Sequence, residues 1–414
     1  MSRSVIVLGA GMVGVGCALA LQRRGLAVTL LDRREPGRET SYGNAGVISR
    51  SSILPINHPG LWRNLPRYLS NRHAAVRYRL GDLMRRPGWI LRFLAEARAS
   101  RLPPRVAALE SLIAPSLPLH RRLMSEAGIA GRLRETGFLE LFRSEAGVAA
   151  ARARQDWLGA HGVRVERLDQ AALAALEPGL KPIFPAALWH AESASVDWPG
   201  AVVEAYAQLF VARGGRLLRD EVRSLAREGA GWRVAGRDGG HAADLVVVAL
   251  GPWSGDLLAP LGLSVPLGAE RGYHRHYRLA PGAGLSRPAY DVEASYMMGP
   301  MEQGLRVTSG VELARHDAPD DHAQIEQVLP RVREAIDIGE AAEPGTWRGS
   351  RPTLPDSLPM IGEAPRHPGL WLAFGNQHVG FSTGPATGEL LAALVCGEAP
   401  PADPAPFAPG RYLR

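Results

Sequence analysis

The hydrophobic pattern opens on a continuous apolar run, Val5-Ile6-Val7-Leu8, with no polar alternation. Such a run suits a parallel strand buried on both faces. Gly9-Ala10-Gly11-Met12-Val13-Gly14 follows, then an apolar stretch from Val13 to Arg24 that reads as a helix ending at Gly25. A second apolar strand, Ala27 to Leu31, stops at Asp32. Beyond it, Leu61, Trp62, Leu65 and Leu69, then Leu80, Leu83, Trp89, Ile90, Phe93 and Leu94, recur at helical spacing. Arginines lie between them, and breaks are predicted at Pro66, Pro87 and Pro103. The spacing predicts helices over 104–128 and 144–159 and strands over 137–142 and 186–190. A helix over 201–213 is expected, with Asp197 or a neighbour as N-cap and Pro199 just inside. Strands are predicted over 216–227, 232–237 and 243–250. Short alternating runs between 266 and 311 suit an antiparallel sheet, and 320–337 reads as a connecting helix. A last strand over 370–374 leads through a Gly-rich turn into a helix over 385–395.

The first turn carries the chemistry of a dinucleotide site. Gly9 allows the tight turn, Gly11 lets a pyrophosphate approach the backbone, and Gly14 lets helix and strand pack closely. The helix N-terminus offers free N–H groups and a positive dipole end, with Met12 and Val13 on it. Asp32 stands where an acid accepts hydrogen bonds from an adenosine ribose, which disfavours NADP, although Arg33 and Arg34 blur that inference. The motif does not separate NAD from FAD. The small-residue loop over 37–48, with Thr40, Ser41, Asn44, Ala45, Gly46 and Val47, can wrap phosphates and a flavin edge; an ordinary surface turn is the alternative. Val222 is a candidate for an adenine edge, and Gly251 and Trp253 end the late strand. The second strong signal is Gly375-Asn376-Gln377-His378-Val379-Gly380-Phe381-Ser382-Thr383. Strand, Gly turn and helix N-terminus again make an anion-friendly nest. Gly375, Val379, Gly380, Phe381, Ser382 and Thr383 are candidates to hold a flavin's N1–C2=O edge, a second site that an NAD dehydrogenase does not need.

Composition narrows the picture. At 414 residues, 46% hydrophobic and 21% charged, the chain suits roughly two or three globular units. No apolar run approaches the ~20 residues of a membrane span. The net charge is +7, but Lys181 is the only lysine among 48 basic residues, a skew typical of codon bias. No nucleic-acid motif accompanies it. Two readings stand for the basic amphipathic helices over 54–105: contact with an anionic bilayer, or a cap whose arginines are solvated. His274 and His276 share one side of a strand, yet no third ligand has suitable spacing, so no metal site is expected. His190 reads as structural. Cys17 and Cys396 read as core thiols in a reducing cytosol.

With both ends in view the chain resembles the FAD-dependent D-amino acid oxidase superfamily, most of all the small-subunit type of D-amino acid dehydrogenase. The resemblance rests on Gly9 to Gly14 with Asp32, Glu39-Thr40-Ser41, Asn44-Ala45-Gly46, 244–254, Arg351-Pro352, Pro355-Asp356, Pro359, the turn 375–380 and the tail 403–412. It implies non-covalent FAD, an amino acid substrate, and hydride transfer from Cα to flavin N5, with electrons passed to a quinone or other acceptor. By resemblance Arg351 is the carboxylate clamp, with Tyr273 and His378 as further pocket residues. The turn departs from the family's frequent Gly-His-Gly. Arg271-Gly272-Tyr273-His274 and Pro355-Asp356-Ser357-Leu358-Pro359 look like the hydroxyproline-type members, which points to D-proline or cis-4-hydroxy-D-proline. A glycine- or sarcosine-type amine oxidase and an electron-relay flavoprotein subunit are the alternatives.

The expected fold is α/β. A discontinuous Rossmann-like FAD-binding domain is assigned to 1–55, 196–225, 243–258 and 345–414. An α+β substrate or cap domain on an antiparallel sheet takes 56–195, 226–242 and 259–344. The expected location is the cytoplasm, with peripheral contact to the inner face of the cell membrane under the bilayer reading.

Overall fold

The computed structural model describes residues 3–413. The first apolar run is the strand Ser4–Leu8, inside a six-stranded sheet. Across that sheet run Arg216–Arg219, Ala27–Asp32, Ser4–Leu8, Leu245–Val248, Leu370–Phe374 and Met360–Glu363. All neighbours are parallel except the last pair. Val7, Leu8, Val246, Val247 and Val248 are sealed from solvent, which is why the sequence shows no alternation there. The sheet therefore gathers strands from the start, middle and end of the chain.

Two helices, Met12–Arg23 and Gly380–Cys396, cross on one face of this sheet through glycines. A Cβ on Gly388 would lie 2.4 Å from the carbonyl carbon of Gly16. The second helix starts at Gly380, earlier than the expected 385, so Pro385 falls inside it. Proline has no N–H for the carbonyl four residues back, which is that of Phe381. His120 fills the gap: its Nε2 lies 3.0 Å from Phe381 O and 3.1 Å from Ser382 O, while Nδ1 is 2.9 Å from the Tyr206 hydroxyl. Nε2–H therefore donates and Nδ1 accepts. Burial pushes the imidazole down to about 4, so it stays neutral. The stretch Gln377–Cys396 is long and apolar enough to cross a membrane, yet it is the buried centre of this layer.

The second sheet has eleven strands around the long strand Gly268–Leu279. That strand pairs antiparallel with Gly304–Thr308, Val311–Leu313, Ile338–Ala341 and Trp347–Thr353. The sheet continues through Tyr296–Met301, Ala289–Asp291, Leu139–Phe142 and Ala186–Trp189 to Glu166–Asp169.

Several expectations need correction. The predicted strand over 216–227 is two strands, Arg216–Arg219 and Ser224–Glu228. The break is fixed by Asp220, whose carboxylate accepts from the amides of Glu221, Arg237 and Asp238. The helix over 104–128 is Leu102–Ile113 followed by Ser116–Glu126. The N-cap position expected at Asp197 or a neighbour is held by the neighbour, Trp198, with Pro199 just inside, and the Asp197 carboxylate is taken by Arg132 and Arg134. Cys17 is a buried core thiol, but Cys396 is only half-buried.

The expected domain seams also shift. Val106, Leu109, Leu112, Leu123 and Met124 share a core with Val15 and Leu391, so helices 102–126 pack on the parallel-sheet layer. The small sheet over 224–243 joins that layer too, through Leu225, Trp232 and Val234 against Leu8 and Val248. Conversely, Trp347–Thr353 belongs to the antiparallel sheet.

His120→Phe keeps the ring volume but leaves the buried Phe381 carbonyl without a donor, at a cost of about 1–3 kcal/mol. A lowered thermal midpoint with unchanged secondary structure is the expected outcome. Because only the unfolded chain protonates this imidazole between pH ~6.5 and ~4, the wild type should also lose more stability over that window than the variant.

Candidate cofactor and active site

A cavity of about 760 Å³ runs between the two sheets. One end is built by the first turn. Gly9 has φ +105°, and a Cβ on Gly14 would lie 1.8 Å from Gly9 O, so strand and helix meet with no room for a side chain. The Met12 amide at the helix start donates to Ser41 Oγ at 3.1 Å, which draws the 37–48 loop over the helix N-terminus. Asp32 receives the amides of Ala10 and Arg34 at 2.6 and 2.9 Å. Burial raises its pKa, against those two amides. Arg33 lies over the Trp253 ring at 4.4 Å and pairs with Glu39.

Of the expected cofactor residues, Gly9, Gly11, Met12, Val13, Asp32, Arg33, Thr40, Ser41, Asn44, Ala45 and Val47 line the cavity. So do Val222, Gly251, Trp253, Gly375, Val379, Gly380, Phe381 and Ser382. Three expected residues do not. Gly14 packs against Gly9 behind the turn, and the space beside Gly46 is closed by the Val196 carbonyl. Thr383 turns its hydroxyl inward to Val379 O and the Asn376 amide.

The other end is one face of the antiparallel sheet, and strand register decides who is on it. Side chains alternate along a strand and cross-strand partners share a face. Glu270 is opposite Arg351, Gly272 opposite Gly349, and His274 opposite Trp347. The row continues from His274 through Thr308, Met297 and Tyr290 to Glu140. All but His274 line the cavity. Gly272 leaves the space that Arg351 uses: a Cβ there would lie 2.6 Å from Nη1 and 2.8 Å from Nη2.

This parity corrects one candidate. Tyr273 borders the cavity, but its hydroxyl is committed to Glu312 at 2.6 Å, to Arg271 and to the Asp321 amide. It belongs to the opposite face. Tyr290 is the tyrosine on the cavity face, and burial pushes its phenol up to about 12. His378 projects from the Gly turn into the cavity with its side chain exposed to the cavity space; the desolvation of that site and the neighbouring Arg351 push its imidazole down to about 4. Burial lowers the Arg351 pKa, with Glu270 opposing. Glu270 and Tyr290 escaped the sequence reading, although counting by two from Arg351 and His274 reaches Glu270 once the register is known.

The His274–His276 pair does gain a third group, Glu343. However, His276 Nδ1 donates to Glu343 at 2.6 Å, and its Nε2 accepts from Arg306 Nε at 2.9 Å. With both nitrogens engaged and a guanidinium beside them, the cluster is a hydrogen-bond relay.

Fold and site define a class: a dinucleotide-binding enzyme with a second anion-binding helix start and an antiparallel wall to its cavity. The glycine cradle, the Ser41-capped helix start and the second nest at Gly380 fit FAD end to end. Residues 4–394 match the DAO family, described as FAD dependent oxidoreductase, and the chain belongs to that family. It is 32% identical to a D-amino-acid oxidase of Bradyrhizobium diazoefficiens, covering 99% of both chains. It is 29% identical to a D-amino acid dehydrogenase of Chromohalobacter salexigens, again over 99% of both. Among solved structures, glycine oxidase from Geobacillus kaustophilus superposes with a TM-score of 0.76 over 100% of both chains at 23% identity. L-proline dehydrogenase from P. horikoshii gives 0.74 at 19%, covering 100% of this chain and 99% of that one. These structures establish the fold. FAD is the cofactor, and the protein is an FAD-dependent oxidoreductase.

Gly272→Ala tests the Arg351 seat. The new methyl should displace the guanidinium while leaving FAD content unchanged. Binding of propionate to the holoenzyme, followed by perturbation of the flavin spectrum, should weaken about tenfold or more, the scale of a lost charge-assisted bidentate contact.

Proposed function

We propose that the protein oxidises a D-amino acid, D-proline or cis-4-hydroxy-D-proline among the candidates, and passes the electrons to a quinone or similar acceptor. The observation that carries this reading is Arg351: a guanidinium on the cavity face, seated over Gly272, with Nη1 sealed from solvent and unpartnered. A planar fork of donors without a partner suits a carboxylate, bound bidentately. FAD, when bound, accepts a hydride from the substrate carbon. The chain's own contribution is positioning. Arg351 holds the carboxylate, and Trp347, Met297 and Tyr290 wall the side chain, so the reaction gains mainly from orientation. His378 is neutral at physiological pH and adds no charge beside the clamp. The relatives named D-amino-acid oxidase and D-amino acid dehydrogenase support the D-series.

An anaerobic panel tests the substrate. D-alanine, D-proline and cis-4-hydroxy-D-proline should bleach the flavin, their L-enantiomers should not, and Arg351→Ala should suppress the response at least about tenfold. Bleaching by glycine or sarcosine alone would favour an amine oxidase, and no bleaching by any of them would leave the electron-relay reading.

Membrane contact in support of a quinone acceptor rests on Gly60–Leu69, Leu80–Met84 and Pro87–Glu96. Five large apolar side chains, Trp62, Leu69, Leu80, Met84 and Leu91, stand exposed there. Arg63, Arg67, Arg85, Arg86 and Arg92 are exposed among them, and neither acid of that stretch, Asp82 or Glu96, is exposed. Aromatic and aliphatic groups ringed by arginine suit an anionic bilayer surface. The protein should co-sediment with phosphatidylglycerol vesicles at low salt and not with neutral ones; Leu69→Ser with Met84→Ser should weaken that binding. Absence of sedimentation in both cases would remove the membrane from the reading.

A further inference from the structure

We propose that Glu270 receives the substrate's ammonium group and takes its proton, so that Glu270 and Arg351 together form a receptor for an amino-acid zwitterion. This rests on the reading of the site as one that oxidises amino acids. The two residues are directly opposed on adjacent antiparallel strands, and both line the cavity. Glu270 is 2% exposed, and its Oε2 is sealed without a hydrogen-bond partner, as is Nη1 of Arg351. A buried charged group without partners is costly. Two of opposite sign, facing one cavity, match a ligand that carries both charges on adjacent atoms.

Four other titratable groups of the cavity are poorly placed for this role. Asp32 is held by two amides at the cofactor end. Glu140 is bound by Arg154 at 2.6 Å. Tyr290 and His378 titrate at about 12 and about 4, too far from neutrality to accept a proton efficiently there. Burial pushes Glu270 up to about 7, with Arg351 and the Thr353 hydroxyl opposing. The groups packed around it leave it that role. Its other flank faces Leu313, Trp89 covers Gly268, and Arg86, just before the helix that carries Trp89, is turned to the Leu267 carbonyl.

The step balances simply. An N–H bond of the ammonium breaks, its proton passes to a Glu270 carboxylate oxygen, and the electron pair stays on nitrogen. That lone pair would then assist transfer of the Cα hydrogen, as hydride, to FAD when it is bound, and the substrate would leave as a protonated imine.

The test uses two unreactive ligands on the FAD holoenzyme, titrated by calorimetry. α-Aminoisobutyrate carries both charges but has no Cα hydrogen; pivalate is its isostere with a methyl in place of the ammonium. Glu270→Gln should weaken α-aminoisobutyrate by about tenfold or more and leave pivalate unchanged or tighter. In the wild type, affinity for α-aminoisobutyrate should rise with pH through about 7 and that for pivalate should fall. The wild-type pair of profiles stands even if the variant does not fold. Equal weakening of both ligands, or profiles that run in parallel, would overturn the proposal. A wild type that binds pivalate but not α-aminoisobutyrate would overturn the receptor alone. One that binds neither would overturn the reading beneath it.

Discussion

The contact between Met12–Arg23 and Gly380–Cys396 fixes almost everything else in the site. Each helix begins at the cavity, one at the glycine turn and the other at the second nest. Each offers unsatisfied N–H groups and about half a positive charge there. Their separation therefore sets the distance between two anion-binding points that a single cofactor must span. Gly16, Gly384 and Gly388 let the two backbones touch: a Cβ on Gly384 would lie 2.5 Å from Met12 Cγ, and one on Gly388 would overlap Gly16. Interiors packed this closely do not yield by a methyl group without moving backbone. The glycines thus act on cofactor geometry without approaching the cofactor.

A second constraint ties the antiparallel sheet to that frame. Arg306 is fully buried, and burial lowers its pKa to about 10. Its Nη1 donates to the carbonyls of Tyr42 and Asn44, at 3.0 and 2.6 Å. Its Nε is held by His276, which is in turn held by Glu343. A desolvated guanidinium contributes little net stability even when paired, but it specifies geometry. Here it pins the 37–48 loop, which covers the cofactor end, to the sheet that carries Glu270 and Arg351. The relay explains why two histidines at period two gather an acid without forming a metal centre.

What the sequence made legible follows the range of the interactions involved. The turn at Gly9 to Gly14 and the nest at Gly375 to Gly380 are local: strand, glycines and helix lie within about fifteen residues, so their chemistry is written contiguously. Arg351 was reached through a motif around it. Glu270 and Tyr290 were not, because their membership of the cavity face depends on pairing Gly268–Leu279 with Trp347–Thr353, some eighty residues away, and on a chain of three further strands. Tyr273 illustrates the same point from the other side. It is the more conspicuous residue in Arg-Gly-Tyr-His, yet it is one position out of phase with Glu270, Gly272 and His274. In a sheet a shift of one residue is a change of face. Domain seams failed for a similar reason: helices 102–126 sit in the middle of a long insertion but bury their apolar stripe on the parallel-sheet layer.

The exposed apolar segment over 60–96 is not loosely attached. Asn57 at its base donates to Pro355 O and Phe93 O, and its side-chain oxygen accepts from Arg105 and Ser357. Arg105 closes the far end through Asp356 O and Glu96 O. Midway, Val76–Tyr78 joins the antiparallel sheet beside Val311–Leu313, and Trp89 donates to Thr353 O, two residues from Arg351. Buried side chains thus hold the segment at both ends and strand pairing holds it in the middle, while Trp62, Leu69 and Met84 remain in water. Exposed apolar groups on a mobile strap could fold back and bury themselves; on a strap fixed in this way they cannot. The same anchors that hold those side chains out also fix the segment to the strand that bears Arg351, so a surface bound at this segment would meet the enzyme in one orientation relative to its cavity.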